Sequence, residues 1–205
     1  MLTIGLTGGI GSGKTSVSNI FEELKINIID TDVISRELLN NDSTISQQVA
    51  NAFDDAITNS SGIIDRKKLA RCIFNNKVNK TKLEAILHPK IRDEVDARIN
   101  KLKASETPPN YIIVVIPLLL ETNFLKNIDR ILVVLADEET RVSRVQKRDN
   151  RDEVEIRSII GHQVDDDMRN KTADDIISNN GNITDLEAKV KALHTKYLSL
   201  SKLEE

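Results

Sequence analysis

The chain has 205 residues, 39% of them hydrophobic and 30% charged, and 29 Lys and Arg stand against 32 Asp and Glu for a formal charge of −3. That length bounds one domain with insertions, and the mixed composition excludes a disordered chain and a coiled coil. The slight negative charge and 3% aromatics, with no Trp, argue against a broadly basic nucleic-acid surface and a base-stacking platform.

Leu2 to Thr7 is a β-prone run ending in glycines, and Val17, Ile20, Phe21 and Leu24 then recur at helical spacing from Thr15 to Leu24. Asn27 to Ile29 reads as a second short strand, with Asp30 and Asp32 at its end. From Ser35 to Lys103 the pattern is helical and polar, with turns at Asn40–Ser43 and Asn59–Gly62. Leu69, Cys72 and Ile73, then Leu83, Ile86, Leu87 and Ile91, form apolar stripes at helical spacing. Pro108-Pro109 breaks the pattern, and Tyr111–Ile116 and Ile131–Leu135 are unbroken apolar runs, the sign of strands buried on both faces. Glu138 to Ile160 reads as an arginine-rich helix, Asp175 to Ile177 as a last strand and Asp185 to Leu200 as an amphipathic closing helix.

Strands separated by helices imply an α/β fold with a parallel sheet covered on both faces. The helical stretch between the second and third strands is too long for a simple crossover and is expected to be an inserted subdomain. The arginine-rich region after the fourth strand is expected to be a second, smaller insertion. The longest apolar run, Ile112 to Leu120, contains Pro117 and falls far short of the roughly 20 residues of a membrane helix. With no basic, apolar leader at the start, the expectation is a soluble cytoplasmic protein without membrane or nucleic-acid partners. Cys72 is the single cysteine, and His88, His162 and His194 lie far apart, so neither a disulfide framework nor a multi-cysteine metal cage is expected.

Gly8-Gly9-Ile10-Gly11-Ser12-Gly13-Lys14-Thr15 fits G-x-x-x-x-G-K-[ST] between a strand and a helix. Glycines let successive N–H groups turn toward phosphate oxygens, and the helix N-terminus adds partial positive charge. Lys14 would reach the β- and γ-phosphates, and the Thr15 hydroxyl is placed for Mg²⁺. The loop specifies a nucleoside triphosphate but not its use. A GTPase should carry N-K-x-D, and Asn76-Lys77-Val78-Asn79 lacks the Asp. A motor ATPase should run four apolar residues into Asp-Glu. Leu132–Leu135 reach Asp137-Glu138 one residue late, and Asp137 reads better as a helix cap. A small-molecule kinase needs an acceptor-binding insertion and a cationic lid, and the chain has candidates for both.

Asp32 follows the second strand, where the carboxyl ends of parallel strands line a ligand crevice. There it can cap a helix, accept a hydrogen bond from an attacking hydroxyl and orient it, or do both. Arg141, Arg144, Arg148 and Arg151 recur at helical spacing. They form either a solvated face paired with Glu138, Asp152 and Glu155, or a lid over ATP phosphates.

Thr7 to Lys14, Ile29 to Asp32 with Arg36, Gly62 to Leu69, Leu87-His88-Pro89, Pro117 to Glu121, Arg148-Asp149, Gln163, Arg169 and Ala173 to Gly181 together resemble the dephospho-CoA kinase family. The resemblance covers nearly the whole chain. It implies ATP-dependent phosphorylation of the ribose 3′-hydroxyl of dephospho-CoA, with Mg²⁺, on a P-loop NTPase three-layer fold with a five-stranded parallel sheet. The nucleotide core would comprise residues 1–34, 107–137 and 172–205, the helical acceptor-binding insertion 35–106 and the lid 138–171. ATP would meet Gly9, Gly11, Ser12, Gly13, Lys14, Thr15 and Ser16, with Arg148 and Arg169, and Arg144 and Arg148 would act with Lys14 and Asp32 in catalysis. The acceptor would meet Asp32, Arg36, Arg66 and His88. Many relatives carry Asp where this chain has Val115, so Mg²⁺ would rest on Thr15, phosphates and water. A monomer is expected. Another nucleotide or nucleoside kinase, or a nucleotide-dependent switch, would share the loop.

Overall fold

The computed structural model describes residues 1–53, 57–59, 64–74, 76–122 and 126–202. The turn expected at Asn59–Gly62 therefore lies mostly outside the described residues. Contacts divide the chain into two compact units, Met1–Asp30 with Asn100–Glu205, and Thr31–Ile99.

The first unit is built on β1 (Leu2–Gly8), β2 (Ile28–Asp30), β3 (Tyr111–Val115), β4 (Arg130–Leu135) and β5 (Asp175–Ser178). They form one sheet in the order β2-β3-β1-β4-β5, and every pairing is parallel. β1 and β3, two of the three strands flanked on both sides, are buried at every position, whereas β4 is buried over Leu132–Val134. That explains their continuous apolar runs, since no face of theirs meets water. The expected strand positions hold within one or two residues at each end, the ordinary scatter of helix and strand limits.

Helices α1 (Lys14–Glu23) and α10 (Ile183–Ser201) pack together against this sheet. Phe21, Tyr111 and Tyr197 meet there, with ring centroids 5.4–6.4 Å apart. Each such ring contributes about 2–3 kcal/mol through burial. The polar ends of the rings are paired. Tyr111 Oη lies 2.6 Å from His194 Nδ1, and Tyr197 Oη donates to Asp175 Oδ2 at 3.2 Å. Burial pushes both phenol pKa values well above the ordinary tyrosine range.

A short α6 (Leu119–Thr122) follows β3. After β4 come α7 (Glu138–Asp149), α8 (Glu153–Gly161) and α9 (Asp166–Thr172). The single helix expected over Glu138–Ile160 is thus two. Asn150 closes α7 in the left-handed conformation at φ 52°, and the Asp152 carboxylate caps α8 by accepting from Glu155 N. An amide side chain tolerates that backbone, and a cap of this kind is worth about 1 kcal/mol.

The second unit holds α2 (Thr31–Asn41), α3 (Ser43–Ala52), α4 (Arg66–Phe74) and most of α5 (Lys77–Lys103). The break expected at Asn40–Ser43 is one residue, Asp42, whose carboxylate accepts from Thr44 N and Ile45 N and starts α3. Leu83, Leu87, Ile91, Val95 and Ile99 keep one face of α5 buried. Pro89 sits inside α5, where it has no N–H for the Ala85 carbonyl. No described helix is long and apolar enough to cross a membrane.

Candidate active site

β1 ends at Gly8, and α1 begins at Lys14, so residues 9–13 join a central strand to a helix N-terminus. Gly13 is the N-cap of α1 at φ 98°, a left-handed conformation that glycine adopts without cost. A Cβ on Gly13 would also fall onto Asn179 Nδ2, and one on Gly9 would fall onto the Arg141 guanidinium. The loop is therefore packed from behind and needs glycine for space as well as for backbone freedom.

Among the groups that shape the loop, Lys14 Nζ donates to Gly8 O at 2.7 Å and to Gly9 O at 3.1 Å. Asn179 Nδ2 donates to Ser12 O at 2.8 Å, and Arg144 Nη1 reaches the same oxygen at 3.4 Å. Ser12 N closes the turn on Gly9 O. Ser12 Oγ is buried without a hydrogen-bond partner. Thr15 and Ser16 are exposed in the first turn of α1. The first N–H groups of a helix have no partner in the helix itself, so this end favours an anion.

Arg141 does not join an exposed cationic face. Its side chain is 4% exposed, with Nε donating to Ile10 O at 2.9 Å. Burial, with repulsion from Arg169, holds its pKa below the usual arginine value, yet guanidinium stays protonated in a protein. Arg169 is equally buried and pairs with Asp166 at 2.6 Å. Arg148 is exposed, and its Nε and Nη2 both bond the Asp149 carboxylate at 2.7 Å. That fork holds the Asp149 carboxyl below the ordinary aspartate range. Arg151 lies beyond the α7 break and pairs with Glu155 at 2.8 Å. The four arginines thus do not share one helix face, because Asn150 ends the helix between the third and the fourth. Asp137 occupies the N-cap position of α7, but its side chain makes no capping bond.

In the second unit, Asp32 is an exposed acid in the first turn of α2, and the Asp32 carbonyl accepts from Arg36 Nε at 3.0 Å. Asp32 is therefore inside the helix rather than its cap. Arg66 opens α4 and is exposed. The preceding Asp65 carboxylate is held by Lys67 N and Lys68 N, and the Lys68 N–H is the main cause of its lowered pKa. His88 is half-buried in the middle of α5. His88 does not lie at a helix end, because α5 continues through Pro89.

Val115 ends β3 and pairs with Leu6 on one side and Asp30 on the other. Among the described residues no group of three or more His, Cys, Asp or Glu could hold a metal. The Thr15 hydroxyl, exposed in the first turn of α1, is an oxygen donor of the kind that could complete the shell of a Mg²⁺ ion carried by nucleotide phosphates and water.

The sequence marks Gln163 and Asn179 only among the residues that carry the resemblance and gives neither a place at the loop, and it gives no sign of the inward turn of Arg141. Gln163 and Asn179 meet the loop across 153 and 167 residues of chain, and no local periodicity encodes such contacts.

A family model described as dephospho-CoA kinase matches residues 2–185. A dephospho-CoA kinase of Nitrosospira multiformis is 43% identical over 202 residues, 98% of this chain and 98% of that one. Among solved structures, a Thermus thermophilus protein matches with a TM-score of 0.78 at 29% identity, covering 95% of this chain and 97% of that one. A dephospho-CoA kinase from Campylobacter jejuni matches with a TM-score of 0.71 at 25% identity, covering 99% and 98%. The glycine loop joins a parallel strand to a helix, and the likeness runs through nearly all of the chain around it. On these grounds the chain belongs to the dephospho-CoA kinase family.

Proposed function

We propose that the protein transfers the γ-phosphoryl group of ATP to the ribose 3′-hydroxyl of dephospho-CoA, giving coenzyme A and ADP. The observation that carries this reading is the end-to-end likeness to dephospho-CoA kinases at 43% identity, around a loop whose Lys14 and helix N-terminus suit a triphosphate. Phosphoryl transfer asks for positioning and charge neutralisation more than for covalent chemistry.

In this reading Gly9, Gly11, Ser12, Gly13, Lys14, Thr15 and Ser16 bind the donor, and Lys14 exchanges its carbonyl partners for phosphate oxygens. Arg144, Arg148 and Arg169 neutralise charge on the phosphates. Asp32 orients the 3′-hydroxyl and accepts its proton as the oxygen attacks the γ-phosphorus. The bond from that phosphorus to the bridging oxygen breaks, and ADP carries the electron pair away. Arg36, Arg66 and His88 belong to the acceptor side. Mg²⁺ bound with ATP would supply charge neutralisation, and Thr15 is the residue that would hold it. We assign the nucleotide core to residues 1–34, 107–137 and 172–205, the acceptor insertion to 35–106 and a closing lid to 138–171. A monomer working in the cytoplasm completes the proposal.

The test is ADP formation with MgATP against a panel of CoA precursors and other nucleosides and nucleotides. Turnover should require dephospho-CoA. Equal turnover with a different nucleotide acceptor would make this another kinase. Slow turnover indifferent to every acceptor would make it a switch.

A further inference from the structure

Ile10, midway along the phosphate loop, is held by three contacts from residues far along the chain. Its N–H donates to Gln163 Oε1 at 2.9 Å, and its carbonyl accepts from Arg141 Nε at 2.9 Å. Its side chain packs on the buried cluster of Val142, Val145 and Ile156. Gln163 Oε1 also accepts from Arg141 Nη2 at 3.4 Å, so one amide oxygen serves both partners. Behind them, Asp166 lies 3.9 Å from Arg141 and 2.6 Å from Arg169. The N–H and C=O of Ile10 are thus both committed to protein groups, whereas a loop peptide is ordinarily solvated or left to a ligand.

We infer that Gln163, together with Arg141, is a positioning residue for the donor nucleotide, which clasps the Ile10 peptide and sets the loop before ATP arrives. An anion cradle works to the extent that its N–H groups are aimed in advance. Glycines on both sides of Ile10 leave this loop with much conformational freedom to lose on binding. Clasping Ile10 removes part of that cost. The side-chain chemistry suits the task, because an amide oxygen can accept two hydrogen bonds in one place. The clasp also joins the loop to the segment 138–171, so any movement of that segment is transmitted to the Ile10 peptide.

This inference rests on the kinase reading for its kinetic consequence, so binding is measured apart from turnover. Wild type, Gln163→Leu and Gln163→Glu are compared by calorimetric titration with ADP, by steady-state kinetics in both substrates, and by amide exchange at Ile10. Leucine keeps the bulk and removes the acceptor, whereas glutamate keeps the acceptor. Gln163→Leu should weaken ADP binding and raise KM for ATP by about tenfold, the scale of one lost hydrogen bond to a committed group. KM for dephospho-CoA should stay within about twofold. Ile10 amide exchange should accelerate, and Gln163→Glu should restore all three readouts to within about threefold of wild type.

A Gln163→Leu protein with unchanged ADP affinity overturns the clasp, as does one that loses kcat alone with a lowered melting temperature. If Gln163→Leu does not fold, Arg141→Lys decides. It keeps the charge and removes the Nε donor, so the same loss of ADP affinity is expected and none would overturn the inference. Wild-type turnover indifferent to dephospho-CoA would sink the kinase reading alone, since the clasp is judged on ADP binding and exchange.

Discussion

In the proposed reading Lys14 binds the donor and Asp32 serves the acceptor, so variants at the two separate donor binding from acceptor chemistry. Lys14 Nζ rests on two loop carbonyls, a partly buried arrangement whose loss costs stability on the order of 1 kcal/mol. Lys14→Ala should therefore melt close to wild type while losing at least about a hundredfold in phosphoryl transfer, as read by ADP release beside a thermal melt. Near-normal turnover would remove Lys14 from the donor site. Asp32 lies exposed in the first turn of α2. Asp32→Asn keeps the shape but cannot take a proton, so kcat should fall by about 10²–10⁴ at nearly unchanged ATP affinity. A loose transition state would place the loss at the low end. ATP affinity lost in proportion would instead make Asp32 a metal-site residue.

Among the elements, β5 and α10 are tied to the sheet by one buried carboxylate. Asp175 accepts from Arg130 Nε at 3.1 Å and from Tyr197 Oη, and it pairs with Lys196. Its side chain is 4% exposed, whereas Lys196 is 45% exposed, so part of this network is screened by water. Asp175→Ala should cost about 2–4 kcal/mol in denaturant unfolding, because it strands the buried phenol and the Arg130 guanidinium. A loss under about 1 kcal/mol would show that water replaces the carboxylate there. The pair α7 and α8 invites a different measurement. The start of α7 is anchored through Arg141, whereas Arg148 is exposed and held by its neighbour Asp149. Amide exchange over residues 148–161 should slow when ATP and dephospho-CoA are added together. Exchange that ignores both ligands would identify these helices as a static, solvated surface.

For the whole molecule, nucleotide binding should appear as stability. A ligand that binds only the folded chain at a hundred times its Kd stabilises by about 2.7 kcal/mol. For a chain of this size that is a rise of roughly 5–10 °C in Tm. MgATP should produce that shift in wild type, and Lys14→Ala should show little of it at the same concentration. An equal shift in both proteins would place the nucleotide elsewhere than the loop.

The sequence by itself determined the elements and the class of chemistry. Unbroken apolar runs such as Tyr111–Val115 have only one stable home, inside a parallel sheet covered on both faces. A glycine loop ending in Lys-Thr between a strand and a helix has one well-matched ligand, a phosphate chain. Those signals are local, so they survive in the order of the residues. The end of α7 at Asn150 was less legible, because a left-handed asparagine competes with strong helical spacing on both sides. Tertiary structure alone decided what the arginines do. Arg141 and Arg148 share a helix and a spacing, yet one is buried beneath Ile10 and the other lies exposed on Asp149. The clasp of Ile10 by Gln163 was equally closed to sequence reading. It joins residues 153 positions apart, and a contact of that separation is set by how the strands and helices pack, not by any periodicity along the chain.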